Sequence, residues 1–234
     1  MGAGGEWAAR RVTILGPPGS GKGTQGIRLS DFWKVPHIAS GDILRRILTE
    51  EPDSSLARAA RVIEAGKMVP DAVAARIIFR ELERPETARG FVLDGFPRNV
   101  AQAEMLDEFL GQRAMALTCA LQLRIDESVL LARLSGRLTC PECGESFQIS
   151  SAPPRVDGIC DRCGARLTIR PDDEPAAIRT RLRLYHERAE PLYSYYARSG
   201  RLRVVSADGT EAEVFSRCLE GFGVGVGDRN ESLV

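Results

Sequence analysis

The stretch Val12-Thr13-Ile14-Leu15-Gly16-Pro17-Pro18-Gly19-Ser20-Gly21-Lys22-Gly23-Thr24 decides the fold of this chain. Its apolar start predicts a strand, the glycines predict a tight loop, and the residues from about Lys22 predict a helix. Glycines let backbone N–H groups approach phosphate oxygens, and the helix N-terminus adds positive dipole charge. The pattern G-x-x-x-x-G-K therefore predicts a nucleotide phosphate loop, with Lys22 on the β and γ phosphates.

One position of this loop departs from the common pattern. Gly23 stands where many phosphate loops carry a hydroxyl that binds magnesium, and Thr24 is displaced by one residue.

The rest of the chain alternates between apolar strand candidates and segments with helical periodicity. Strands are predicted at 11–15, 91–93, 117–123 and 202–205, and His37 is interpreted as a strand residue. Helices are predicted at 22–33, 41–49, 55–64, 71–84, 99–110, 127–137, 174–198 and 212–221, with Asp71 and Asn99 as N-caps. This alternation predicts an α/β fold in which helices wrap a parallel sheet.

Composition limits the classes of partner. The 32 basic residues balance the 32 acidic ones, so no overall field favours nucleic acid or a membrane surface. No apolar run approaches the roughly 20 residues of a membrane helix, and the first residues do not resemble a secretion signal. We therefore expect a cytoplasmic protein that binds neither membrane nor nucleic acid, with residues 1–9 and 224–234 as loose termini.

Four of the six cysteines have the spacing of a metal site. Cys140, Cys143, Cys160 and Cys163 form C-x₂-C-x₁₆-C-x₂-C, in which two short turns supply four thiolates to one tetrahedral ion. Four protein ligands leave no open coordination position, so the metal is predicted to be structural. Zinc is the default, although iron accepts the same turns. The other two, Cys119 and Cys218, are interpreted as core residues.

A second polar group follows the strand at 91–93. Asp94 ends that strand at the edge where α/β sheets bind ligands, and it could hold magnesium through water. Arg98 and Gln102 are one helical turn apart, and an arginine and an amide suit a phosphate and a base edge. Taken alone, an ordinary solvated face explains this pair better.

Arginines recur where a solvated lysine would serve equally well. Arg133 and Arg137 are predicted on one helix at i and i+4, and Arg170 ends the cysteine segment. Arg181 lies close to the buried seam of its helix and can reach a cleft, whereas Arg179 and Arg183 are predicted to lie on the surface. The guanidinium fork matches phosphate oxygens. Asp172 and Asp173 are predicted either to cap this helix or to form a pairing at a hinge.

Several motifs occur together in the order found in adenylate kinases, and the chain closely resembles that family from about Val12 to Phe222. They are the phosphate loop, Ser40-Gly41-Asp42-Ile43-Leu44-Arg45, Ala65-Gly66-Lys67-Met68-Val69, Gly90 to Arg98, Arg137, Arg170 and Arg181. The cysteine segment resembles the lid of the zinc-containing long form common in bacteria. The resemblance implies a nucleoside monophosphate kinase core at 10–39, 69–136 and 172–223. It also implies a helical insert at 40–68 that binds the nucleoside monophosphate, and a small metal-bound β lid at 137–171.

The resemblance also implies an activity and its residues. The reaction is ATP + AMP ⇌ 2 ADP, with Mg²⁺ accompanying ATP, a structural Zn²⁺ in the lid, and a monomeric enzyme. The implied ATP ligands are Gly19, Ser20, Gly21, Lys22, Gly23, Thr24, Arg137, Ser146 and Phe147. The implied AMP ligands are Ser40, Arg45, Lys67, Met68, Val69, Gly95, Phe96, Pro97, Arg98, Gln102, Arg170 and Arg181. The implied catalytic cations are Lys22, Arg98, Arg133, Arg170 and Arg181.

Three departures and two alternatives accompany this interpretation. Ser40 replaces the usual threonine but keeps its hydroxyl, Leu138 replaces a second arginine, and Phe147-Gln148 replaces a common Tyr-His pair.

Asn99 directly after Arg98 suggests a kinase that prefers UMP or CMP. A protein of another class would use the cysteine module to bind RNA, but segment 138–170 mixes acidic and basic residues and has Phe147 as its only aromatic side chain.

Overall fold

The computed structural model describes residues 10–65, 69–149, 152–170 and 173–223. The strands are β1 (Arg10–Leu15), β2 (His37–Ala39), β3 (Gly90–Asp94), β4 (Cys119–Arg124), β5 (Arg137–Thr139), β6 (Ser146–Gln148) and β7 (Leu202–Ser206). The helices are α1 (Lys22–Trp33), α2 (Ser40–Glu50), α3 (Ser55–Ala60), α4 (Asp71–Leu82), α5 (Val100–Gly111), α6 (Glu127–Ser135), α7 (Pro175–Arg198) and α8 (Glu211–Gly221). Among the described residues, 3₁₀ turns lie at Arg61–Ala65 and Pro85–Thr87.

Five strands form one parallel sheet in the order β2-β3-β1-β4-β7. Val12 at the centre pairs with Val92 of β3 on one side and with Cys119 of β4 on the other. The connection after β1 leads to one edge of the sheet, and the connection after β4 leads to the other edge. Ligands of α/β sheets bind at such a switch point, at the carboxyl ends of the strands. The glycine-rich loop after β1 lies there.

Both faces of the sheet are covered, as the predicted α/β class requires. Phe91 and Leu93 point to the face covered by α4, α5 and α7, where Tyr196 is fully buried. Val92 points to the opposite face and packs with Val12, Leu29 and residues of α8. This alternation follows the two-residue period of a strand, and it fixes the register of the central strands.

Two inserts leave this core. The first contains α2, α3 and the 3₁₀ turn at Arg61–Ala65, and its Leu44 and Ala60 pack with Ile77 of α4 in a small apolar cluster. The second lies between α6 and α7 and contains the antiparallel pair β5-β6. Between residues 137 and 170, the buried residues among those described are Thr139, Cys140 and Cys160. The second insert is therefore not held by an apolar core over its described length.

The structure corrects several predicted boundaries. Helix α6 ends at Ser135, because Gly136 leaves the helical conformation, and Arg137 lies in β5. The prediction that Arg133 and Arg137 share one helix is therefore wrong. Asn99 is confirmed as an N-cap, since its side chain accepts a bond from the Gln102 backbone N–H. Asp71 is the first residue of α4 rather than its cap, because the extended Pro70 occupies the cap position.

Other boundaries change less. The predicted helix at 55–64 is α-helical only to Ala60 and continues as the 3₁₀ turn. The predicted loose termini at 1–9 and 224–234 lie outside the described residues. None of the described helices combines the length and the apolar character needed to cross a membrane.

Gly90 at the start of β3 is required by the close approach of β1. Its φ is +143°, and a Cβ atom there would lie 2.3 Å from the Arg10 carbonyl oxygen. We expect Gly90→Ala to lower the free energy of unfolding by about 2–4 kcal/mol, because a backbone atom of the central strand has to move. Urea denaturation measures this change.

Gly111→Ala is the matched control. Gly111 ends α5 and no atom lies within 4 Å of a Cβ placed there, so the substitution is expected to be neutral or stabilising by about 0.5–1 kcal/mol. Equal effects of the two substitutions would contradict the role given to Gly90.

Candidate functional site

The loop after β1 has the geometry of an anion site. Gly19 and Gly21 have φ values of +82° and +88°, and a Cβ at Gly19 would lie 2.9 Å from Leu134 Cγ. Gly21 is the N-cap of α1 and provides no side chain, so the first N–H groups of the helix face the loop without a side-chain cap. Ser20 Oγ is buried and makes no hydrogen bond within the described residues. The loop therefore offers unsatisfied donors to an anion.

Lys22 lies inside this loop with its ammonium held inward. Nζ donates a hydrogen bond to the Pro17 carbonyl oxygen at 2.8 Å. Although part of the residue remains accessible from the cleft, burial together with the nearby Arg181, Arg98 and Arg137 lowers the pKa of Lys22 to about 8. The carboxylate of Asp94 opposes the shift. Lys22 is thus one member of a cluster of cations that repel one another.

Asp94 ends β3 beside the start of α1. A Cβ at Gly23 would lie 3.4 Å from Asp94 Oδ2, so the absence of a side chain at Gly23 leaves this carboxylate next to the helix. His37 Nε2 lies 4.0 Å from the same oxygen. A Cβ at Gly26 would lie 2.5 Å from His37 Nε2, which explains the glycine there. The sequence predicts His37 only as a strand residue, and the structure also shows that its side chain lies next to Asp94 and Gly26.

Asp173 holds two of the predicted phosphate-binding arginines. Arg137 Nε donates to Asp173 Oδ2 at 2.6 Å, and Arg137 Nη2 also contacts Oδ1. Arg181 Nη1 donates to Oδ1 at 2.9 Å. Only 1% of the Asp173 side chain is exposed. Of the two predicted roles for this residue, the structure shows the pairing, and Glu174 occupies the N-cap position of α7 without a side-chain cap bond. Asp172 lies outside the described residues.

Asp42 links the two inserts. Its Oδ1 lies 2.6 Å from Arg45 Nη2 on the same helix and 3.8 Å from Arg170 Nη2 in the second insert. Arg170 Nη2 also donates to Ser146 Oγ at 3.4 Å. One carboxylate therefore faces arginines from both inserts across the cleft.

Arg98 and Ser40 form a compact polar group around Gly95. Arg98 Nε donates to the Gly95 carbonyl oxygen at 2.7 Å, and Ser40 Oγ donates to the same oxygen at 2.9 Å. Arg98 Nη2 donates to Ser40 Oγ at 3.4 Å. The φ of Gly95 is +75°, and a Cβ there would lie 2.6 Å from Ser40 Oγ. Glycine thus brings the serine and the arginine together.

These residues line one cleft of about 1390 Å³ at the switch point of the sheet. The predicted site residues along it are Gly19, Ser20, Gly21, Lys22, Gly23, Thr24, Ser40, Arg45, Asp94, Gly95, Pro97, Arg98, Arg133, Arg137, Ser146, Phe147, Arg170 and Arg181. Val69, Phe96 and Gln102 line a small adjoining cavity of about 20 Å³, together with Ser40, Gly95 and Arg98. Lys67 and Met68 lie outside the described residues.

Phe96 and Gln102 differ from the prediction in their local setting. Phe96 is 1% exposed, and its ring packs edge-on against Phe79 in the core, so most of its side chain serves the core. Arg98 and Gln102 are not on one helical face, because α5 begins only after Asn99. Gln102 is buried, and its Oε1 accepts a hydrogen bond from the Arg98 backbone N–H at 2.8 Å.

Four cysteines meet in the second insert. The Sγ atoms of Cys140, Cys143, Cys160 and Cys163 all lie within 4.8 Å of one another. Tetrahedral zinc with Zn–S bonds of about 2.3 Å needs sulfurs about 3.8 Å apart, so the donor set fits this metal. The backbone N–H of Cys143 lowers the pKa of the Cys140 thiol to about 7, whereas burial and the neighbouring thiols raise the pKa of Cys143 and of Cys163. A bound cation would favour the thiolate form of all four.

The two cysteine turns repeat one backbone design. Gly144 N–H donates to the Cys140 carbonyl oxygen at 3.1 Å, and Gly164 N–H donates to the Cys160 carbonyl oxygen at 2.9 Å. The two glycines have φ values of +75° and +76°. Each turn is thus formed by its own backbone bonds, and the thiols of both point to the same centre.

The comparison with protein families agrees with the order of these motifs. Residues 14–201, most of the chain, match the family model described as adenylate kinase. The chain belongs to the adenylate kinase family.

Similar curated proteins cover almost the whole chain. An adenylate kinase of Thermoanaerobacter sp. strain X514 is 40% identical over 91% of this chain and 98% of its own length. That of Caldanaerobacter subterraneus subsp. tengcongensis is 39% identical over 95% and 99%. That of Streptomyces coelicolor is 40% identical over 90% and 97%. The phosphate loop, the arginine cluster and the cysteine module therefore lie within a family match of nearly full length.

One part of the cleft of this adenylate kinase family member was missed by sequence reasoning. Ala207 and the segment from Gly209 to Val214, after β7, line the cleft beside the phosphate loop. Gln25 Nε2 donates to the Glu211 carbonyl oxygen at 3.0 Å, which joins this segment to α1. Its small and acidic residues match no motif for nucleotide binding. Its position directly after a parallel strand was the only feature of the sequence that could have predicted its place in the cleft.

We expect one tetrahedral metal ion per chain, bound by the four cysteines. Cys160→Ser should remove the metal and abolish hydrogen-exchange protection across 137–170, because the described part of this segment lacks an apolar core. Elemental analysis combined with hydrogen exchange measures both effects.

Cys119→Ala provides the control, since this buried cysteine lies in the sheet, away from the cluster. It should keep the full metal content. Protection of 137–170 in a metal-free Cys160→Ser protein would count against a structural metal.

Proposed function

We propose that this protein catalyses ATP + AMP ⇌ 2 ADP through the cleft at the switch point. The observation that carries the proposal is the arrangement of two phosphate subsites around one group of cations. The phosphate loop with Lys22 forms one subsite, and the group of Ser40, Gly95 and Arg98 forms the other. Arg137 and Arg181 line the same cleft and are held by Asp173. Transfer between two phosphates needs this placement of positive charge.

The ATP subsite consists of the loop and the lid side of the cleft. We assign to ATP the residues Gly19, Ser20, Gly21, Lys22, Gly23, Thr24, Arg137, Ser146 and Phe147. The unsatisfied donors at the start of α1 support the first part of this assignment. Asp94 would hold the Mg²⁺ of MgATP through water, and this ion would neutralise charge on the β and γ oxygens. The position of Asp94 beside Gly23 supports that role.

The AMP subsite lies on the opposite side. We assign to AMP the residues Ser40, Arg45, Lys67, Met68, Val69, Gly95, Phe96, Pro97, Arg98, Gln102, Arg170 and Arg181. The neighbouring cavity is about 20 Å³, too small for a purine base, so the insert at 40–68 has to move away from Gln102 to admit AMP.

The proposed mechanism is positioning and charge stabilisation. The acceptor phosphate of AMP is largely ionised near neutral pH, so no general base is needed. Lys22, Arg98, Arg133, Arg170 and Arg181 would hold the donor and acceptor phosphates in line and stabilise the charge of the transferring group. Arg137 and Arg181 are already oriented by the buried carboxylate of Asp173. Closure of the lid at 137–171 would exclude water, the competing acceptor.

The two alternatives receive no support from contacts in the structure. The Asn99 side chain caps α5 and donates to Asp71, so its presence is explained without a pyrimidine. Phe147, the only aromatic residue of the cysteine module, lines the cleft. We therefore propose AMP as the acceptor, and we propose no nucleic-acid partner. We also propose that the protein is a monomer, that it works in the cytoplasm and that zinc is its structural metal. The six cysteines without disulfides support a reducing compartment such as the cytoplasm.

Acceptor assays test the proposed reaction. ADP formation from MgATP should be rapid with AMP and at least about tenfold slower with UMP, CMP or GMP at equal concentrations, because one correct base contact contributes about 1–2 kcal/mol. A protein with its full metal content that favours a pyrimidine acceptor, or transfers to none, would contradict the proposal.

Lys22 gives the binding of MgATP a defined pH dependence. Because the pKa of Lys22 in the free protein is about 8, the side chain is largely neutral near pH 8.5, and bound phosphates restore its charge. Binding near pH 8.5 should therefore take up roughly 0.5–0.8 proton, and this uptake should vanish near pH 6.5, where Lys22 is already charged. Calorimetry in two buffers of different ionisation enthalpy measures the uptake.

Lys22→Arg is the control for this experiment. Arginine stays protonated throughout this range, so uptake near pH 8.5 should be lost even where binding survives. Uptake that persists in Lys22→Arg would assign the proton to another group.

A further inference from the structure

Asp71 and Asn99 surround the side chain of Gln102 outside the cleft. Gln102 Nε2 donates to Asp71 Oδ1 at 2.7 Å, and Asn99 Nδ2 donates to the same oxygen at 2.9 Å. Asn99 Oδ1 accepts from the Gln102 backbone N–H at 2.9 Å. The other end of the amide, Oε1, accepts from the Arg98 N–H at 2.8 Å. Both ends of one buried amide are therefore occupied.

These contacts fix which way the amide of Gln102 faces. An ionised carboxylate only accepts hydrogen bonds, so Asp71 can pair only with the NH₂ end. A backbone N–H only donates, so Arg98 can pair only with the oxygen end. Rotating the amide by 180° would place oxygen against carboxylate oxygen and NH₂ against N–H. Both neighbours thus require the same orientation, and the charged one contributes more.

The fixed amide still has capacity for a ligand. Oε1 uses one of its two lone pairs, and Nε2 uses one of its two hydrogens. Gln102 also lines the small cavity beside Ser40, Gly95 and Arg98. A base entering this cavity would meet one acceptor and one donor whose positions cannot be exchanged.

The orientation matters because bases fall into two classes along their pairing edge. Adenine and cytosine present an amino donor next to a ring-nitrogen acceptor. Hypoxanthine, guanine and uracil present a carbonyl acceptor next to a ring N–H donor, which is the reverse order. An amide that can rotate pairs with either class, whereas an amide held in one orientation pairs well with only one.

We propose that Asp71, itself held by Asn99, is a positioning residue that gives the AMP subsite its preference for amino bases over oxo bases, by preventing rotation of the Gln102 amide. The proposal rests on the assignment of this subsite to AMP. Asp71 does not line the cleft or the small cavity, so it acts through Gln102.

IMP is the sharpest probe, because it has the size of AMP and reverses only the pairing edge. We would measure kcat/KM for IMP and AMP with saturating MgATP in the wild-type protein, D71N and E81Q. D71N keeps the shape of aspartate but can donate as well as accept, so it removes the charged one of the two contacts that fix the Gln102 amide and lowers the cost of rotating it, while the Arg98 N–H still favours the original orientation. The kcat/KM for IMP divided by that for AMP should rise roughly tenfold in D71N, because one charge-assisted hydrogen bond that opposes rotation is lost. The ratio of UMP to CMP should rise in parallel.

E81Q is the matched control. Glu81 is a carboxylate on the same helix α4 that pairs with Arg46 and Arg84 and does not contact Gln102. It should leave both ratios at their wild-type values, and KM for ATP should not change in either variant. If D71N does not fold, N99S keeps the helix cap but removes one bond to Asp71, and it should raise the IMP ratio in the same direction by a smaller factor.

The outcomes separate the two proposals. Folded D71N with an IMP to AMP ratio within twofold of wild type would overturn the role of Asp71 while leaving AMP phosphorylation intact. A ratio that changes equally in E81Q would also overturn it. Failure of the wild-type protein to phosphorylate AMP would instead overturn the proposed reaction.

Discussion

Repulsion among like charges is the constraint on which this structure depends. Burial is the main cause of the lowered pKa of Lys22, and Arg181, Arg98 and Arg137 lie close enough to Lys22 to contribute to it. Without counter-charges such a group would not stay together in a partly buried cleft. Asp173, Asp94 and Asp42 supply these counter-charges from three different segments of the chain. The acidic residues therefore hold the cations where polyphosphates can later join them.

The parallel sheet makes this arrangement possible. The strands β1, β2, β3 and β7 all end at one edge, so the segments that follow them reach the same cleft although they are far apart in the sequence. The core carries the phosphate loop with Lys22 and also Arg98, Arg133 and Arg181. The two inserts carry Arg45, Arg137 and Arg170.

Sequence reasoning found the parts of the site that have local patterns. The phosphate loop and the cysteine pairs were predicted because their chemistry requires fixed spacing of a few residues. Arg137 was placed on the wrong element, because helical periodicity continued past Gly136 and no local signal announced the strand β5. The segment from Gly209 to Val214 was missed, because its contribution comes from position in the fold rather than from residue type. The contact of Asp71 with Gln102 joins residues 31 positions apart. Only the packing of α4 against α5 reveals it.

The repeated cysteine turns have a consequence for how the second insert can evolve. Each turn is closed by its own backbone bonds, and the described part of the insert has no apolar core whose packing must be preserved. If ligation determines whether this segment is ordered, then four thiols and two left-handed glycines carry its folding information. The remaining surface residues, including the exposed Ile149, Val156 and Ile169, can then be substituted without a change in the fold of the module. Mutational tolerance should thus be high in the cysteine module and low in the sheet.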